Sequence, residues 1–78
     1  PNPTSGASTL ELSLPAASAV EVSVYDVLGR RVASLAEGTL GAGAHALRVA
    51  PGALAAGTYV VRAEVGGQVL TQRLTVTR

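Results

Sequence analysis

A chain of 78 residues with a formal net charge of +1 and no cysteine makes one small domain, held together by apolar burial without a disulfide. Its six strong bases are all arginine and its five acids are scattered, so no basic stripe is present for nucleic acid. No apolar run approaches the roughly 18–20 residues that span a bilayer, and no segment reads as a signal peptide, so membrane insertion is not expected.

In chain order, residues 1–8 (PNPTSGAS) read as an extended lead-in, because two prolines and a glycine disfavour helix. A start at Pro1 rather than Met suggests a piece of a longer protein, with 1–8 continuing a linker from upstream. Leu10, Leu12 and Leu14 alternate with Thr9, Glu11 and Ser13 as a half-buried strand. After a turn at PAAS, Val20, Val22 and Val24 alternate with Glu21, Ser23 and Tyr25 as a second strand. Asp26 and Gly29 stand at the favoured ends of a type I turn. The third strand, RRVASLAEG, carries Val32 and Leu35 at opposite parity, and a β-bulge would let both face inward. Gly38, Gly41 and Gly43 read as turn residues before a fourth strand in which His45, Leu47 and Val49 share a face.

After a loop pinned by Leu54, the last strands read as one hairpin through Gly66 and Gly67, a strong signal for a two-residue turn. Pairing outward from Val65 and Gln68 sets Tyr59 opposite Leu74 and Ala63 opposite Leu70 on a buried face. Arg62 opposite Thr71 and Val60 opposite Arg73 then fall on the wetter face. Leu54-x-x-Gly57-x-Tyr59 also fits a tyrosine corner, in which the phenol bonds backbone upstream. Six to seven short strands without helix predict an all-β, Ig-like antiparallel sandwich over residues 1–78.

The inventory is poor in chemistry. His45 is the single histidine and Asp26 the single aspartate, and no nucleophile–base arrangement or paired carboxylates are visible, so no catalytic residue is assigned. The acids Glu11, Glu21, Asp26, Glu37 and Glu64 lack the spacing of a metal loop, and the glycines form turns rather than a phosphate cradle, so no metal or cofactor is expected. A sugar-binding module would need exposed aromatic faces, and only Tyr25 could supply one. Asp26, Gly29, Gly66 and Gly67 are read as structural turn residues, and Arg30 and Arg31 as solvated.

PNP at 1–3, VEVSVYDVLGRRVASL at 20–35, GAHALRV at 43–49, LAAGTYVVRAE at 54–64 and TQRLTVTR at 71–78 resemble, in that order, the C-terminal sorting domain of type IX (Por) secretion cargo. The resemblance implies a non-catalytic domain that directs an attached N-terminal cargo from the periplasm across the outer membrane. It implies an outer-membrane translocon and a sortase-like surface peptidase as protein partners, removal of the domain, and a final location at the cell surface or outside it. A monomer is expected. Carried over by position, the signal falls on Gly57, Tyr59, Arg73, Leu74, Val76 and Arg78, with Arg73 standing where lysine is common. Arg73 and Arg78 are the candidates for direct contact, while Gly57, Tyr59, Leu74 and Val76 also serve the fold. The alternatives are a fibronectin-like spacer or carbohydrate-binding module of an extracellular enzyme, or an adhesion subunit completed by strand exchange.

Overall fold

The computed structural model describes residues 4–5, 8–49 and 54–77, and among these it contains seven strands and no helix. The strands are β1 (Thr4–Ser5), β2 (Ser8–Leu14), β3 (Ser18–Tyr25), β4 (Arg31–Leu40), β5 (Gly43–Val49), β6 (Gly57–Val65) and β7 (Gln68–Thr77). A five-stranded sheet runs β1-β7-β6-β3-β4, and β2 pairs with β5 in a second sheet of two strands. All pairs are antiparallel except β1 with β7, where Thr4 and Ser5 run parallel to Val76 and Thr77. The alternating runs thus give the expected all-β sandwich. The sequence reading contains no counterpart to β1, because two residues are too few to show a period.

The core follows from parity. Val22 and Val24 of β3, Tyr59 and Val61 of β6, and Leu74 and Val76 of β7 project from one face of the large sheet, joined by Val49 and Leu54. Leu10, Leu12 and Leu47 of the small sheet pack against them. Full burial of each valine or leucine contributes roughly 1.5–3 kcal/mol, which without a disulfide is what holds so short a chain. The loop residue Leu54 is buried, as expected of its pinning role.

Strand β4 is bulged twice against β3. Val22 faces Ala36 while Ser23 faces Ser34, and Val24 faces Ala33 while Tyr25 faces Arg31, so Leu35 and Val32 are the unmatched residues. One bulge was needed to bring both inward, yet only Leu35 reaches the core. Val32 is 41% exposed, and Ala33 packs inward in its place, because the second bulge shifts parity again. Gly38 also differs from expectation. It lies within β4 opposite Val20 rather than in a turn, and the crossing to the small sheet waits for residues 41 and 42. In β5, His45, Leu47 and Val49 do share the more buried face.

Candidate functional site

The terminal hairpin has the register its sequence dictates. Val65 pairs with Gln68, Ala63 with Leu70, Arg62 with Thr71, Val60 with Arg73 and Tyr59 with Leu74. Gly66 and Gly67 both have positive φ, +56° and +89°, the combination a type I′ turn demands and L side chains resist. The Gly66 N–H also donates to the Ala19 carbonyl at 3.0 Å, fastening the turn to the start of β3. One assignment in the hairpin needs correction. Leu70 has the core-facing parity but is 54% exposed, whereas Leu74, four residues on along the same face, is buried. Leu70 lines the wall of a cleft of about 120 Å³ with Leu10, Leu12, Leu47, Val22, Val61 and Ala63.

At the opposite end of the hairpin the tyrosine corner is formed. The Tyr59 hydroxyl donates to the Ala55 carbonyl at 2.6 Å, and the ring is buried. Gly57 opens β6 opposite Val76, with the Tyr59 ring passing 3.9 Å from where a Cβ on Gly57 would stand. Leu74 and Val76 are core residues. Four of the six residues singled out for recognition, Gly57, Tyr59, Leu74 and Val76, are therefore brought together around this corner. Arg73 stands apart from them, exposed on the outer face opposite Val60 and in none of the ion pairs among the described residues. Arg78 lies outside the described residues, as do residues 1–3, 6–7 and 50–53 of the lead-in and loop.

Strand β7 is also an edge. From Gln68 to Thr75 it has β6 on one side and no strand on the other among the described residues, and β1 covers only Val76 and Thr77. In an antiparallel ladder closed by the Val65–Gln68 pair, the N–H and C=O groups of Val69, Thr71, Arg73 and Thr75 point away from β6. The register of β6 and β7 has no bulge, and Arg73 is the one charge along this stretch. Among the described residues, the Arg73 charge is all that guards this edge against strand addition.

The third feature is the β3–β4 turn. Asp26 O accepts from Gly29 N at 3.0 Å, and Asp26 N donates to Arg30 O at 2.9 Å. With Gly29 at φ +83°, this is a type I turn closed by a left-handed glycine. The carboxylate adds three bonds: Oδ1 accepts from Leu28 N at 2.9 Å and Arg30 N at 3.0 Å, and Oδ2 from Arg30 Nε at 2.8 Å. These N–H donors, the Arg30 backbone first, hold the Asp26 carboxyl below the usual aspartate range. The sequence placed Asp26 and Gly29 correctly in a turn, but gave no sign of this density of bonding. It also missed what the turn displays: Val27 and Leu28 are 75% and 73% exposed, the highest values among the exposed large apolar residues.

His45 Nε2 lies 2.7 Å from the Gly41 carbonyl, tying the crossing between sheets. On the outer face Glu21 stands opposite both Glu37 and Glu64, and the repulsion is relieved by Arg31 at 3.6 Å from Glu21 and Arg62 at 3.5 Å from Glu64. Such half-exposed pairs contribute about 0–1 kcal/mol each. Tyr59 is buried and Tyr25 half-buried, so neither presents a free ring as a sugar platform. Among the described residues no group of three or more His, Cys, Asp or Glu is placed to hold a metal ion, and no helix is long and apolar enough to cross a membrane.

A family described as the secretion system C-terminal sorting domain matches residues 1–77. No curated protein and no solved structure matches the chain.

Proposed function

The chain belongs to the family of type IX secretion system C-terminal sorting domains, and from that premise we propose that it carries an attached N-terminal cargo from the periplasm across the outer membrane. Residues 1–8 lead in from that cargo, with Thr4–Ser5 joining the sheet beside β7, and residues 1–78 act as one monomeric, non-catalytic signal domain. An outer-membrane translocon reads the domain, and a sortase-like surface peptidase removes it upstream of the sandwich, leaving the cargo at the cell surface or outside.

The observation that carries this reading is the position of β7: the family match runs through it to residue 77, and its outer edge has no neighbouring strand from Gln68 to Thr75 among the described residues. A partner strand laid on that edge would gain backbone hydrogen bonds, with specificity from alternate side chains. In this account Gly57, Tyr59, Leu74 and Val76 build the corner that fixes the end of β7. Arg73 and Arg78 supply the charges that are read, and arginine offers a planar fork to a carboxylate where lysine offers a point charge. Deleting residues 71–78 from a reporter fused to this chain is expected to leave the reporter in the periplasm. Secretion of the truncated fusion at the full-length level would refute the proposal.

A further inference from the structure

Resting on the sorting reading, we propose that the β3–β4 turn is a second contact element, which inserts Val27 and Leu28 into an apolar recess of the same protein partner that reads Arg73. Three observations lead there. Val27 and Leu28 sit side by side with roughly three-quarters of their surface in water, at the tip of the turn most heavily bonded to a side chain. A tip fixed by Asp26 and Gly29 loses little conformational freedom when it docks, so burial of its two side chains is retained as affinity. Adjacent exposed apolar groups on a rigid support are also what an anchor requires.

The second observation is alignment. Tyr25 pairs with Val60, and Val60 pairs with Arg73, so one row crosses β3, β6 and β7 on the outer face. The row ends at the residue before Asp26. Two strand spacings separate β3 from β7, so the tip lies on the order of 10 Å across the sheet from the Arg73 strand. Val60 in this row is 39% exposed and Val32 beside the turn 41%. The recognition arginine and the displayed pair thus flank one surface that a single partner can cover.

The third observation separates a protein recess from a lipid surface. Each arginine at the tip has its own acid, Arg30 with Asp26 at 2.8 Å and Arg31 with Glu21 at 3.6 Å. The turn therefore offers apolar surface with balanced charge, which suits a neutral pocket and gives little attraction to anionic headgroups. The cation of the row is Arg73, in no ion pair among the described residues, which calls for an acidic group on the partner beyond that pocket.

The test uses the chain fused to its reporter in a secreting cell, with the 71–78 deletion alongside. Val27→Ser/Leu28→Ser is expected to cut secretion about tenfold or more, from the loss of two buried aliphatic groups. The melting midpoint should be unchanged, because neither side chain is in the core, and Leu28→Met should retain secretion. A photo-crosslinking residue at position 28 and another at position 73 should capture the same protein. Secretion of the double serine variant at the full-length level overturns the proposal, as does crosslinking from position 28 to lipid or to a protein not reached from position 73. Should the serine variant melt lower, the Leu28→Met and crosslinking arms decide. Normal secretion of the 71–78 deletion would instead sink the sorting reading itself, and the contact proposal with it.

Discussion

At one end of the five-stranded sheet the chain reverses through Gly66 and Gly67, where backbone alone makes the turn and three glutamates face one another across the strands. At the other end, side chains do the tying. Asp26 closes its turn with both carboxylate oxygens, and Tyr59 reaches back to Ala55. The difference extends along β7 itself, which is exposed from Gln68 to Arg73 and alternately buried from Leu74 onward. The first end sets register, and register needs only permissive backbone. The second end holds a shape, and a shape that a partner must recognise needs bonds that outlast thermal motion.

That contrast can be broken most sharply within one strand. Leu74→Ala should destabilise by about 2–5 kcal/mol, whereas Leu70→Ala, four residues earlier on the same face, should stay within about 0.5 kcal/mol. Denaturant titration measures both, and equal losses would mean that Leu70 is packed as fully as Leu74. At the turn, Gly67→Ala is expected to cost roughly 1–2 kcal/mol from left-handed strain alone. A Cβ at that position would meet nothing within 4 Å. Gly66→Asn should be nearly neutral in the same titration, as asparagine tolerates that backbone. Removing the phenol by Tyr59→Phe should lower stability by about 1 kcal/mol, and an unchanged melting midpoint would take the corner out of the account.

The smallest effect is a pH dependence. Asp26 has a folded pKa below its ordinary value, so its contribution is complete above the ordinary aspartate range and is lost as pH falls through the lowered value. Comparing acid unfolding of the parent with Asp26→Asn should give curves that converge under the most acidic conditions. Curves that stay parallel down to that limit would show that the charge of Asp26 contributes nothing.

The contrast also explains what the sequence could and could not reveal. Register was legible because Val65-Gly66-Gly67-Gln68 leaves a two-residue turn one way to close, and the corner because Leu54, Gly57 and Tyr59 stand at its spacing. Leu70 and Val32 were misplaced for a common reason: alternation tells which face a residue takes, but not how far the opposite layer extends or how many bulges intervene. Display of Val27 and Leu28 was hidden because a turn of type I accepts almost any residue at its centre, so apolar ones there carry no local signal. The parallel β1–β7 pair depends on two residues meeting across the whole length of the chain.

That pair has a mechanical consequence. Thr4–Ser5 and Val76–Thr77 run side by side in the same direction. Tension between the chain upstream of Thr4 and the chain downstream of Thr77 therefore pulls the two strands in opposite senses along their length. Their bonds are loaded together in shear rather than peeled one at a time, so under such tension the sandwich resists where β1 and β7 lie side by side.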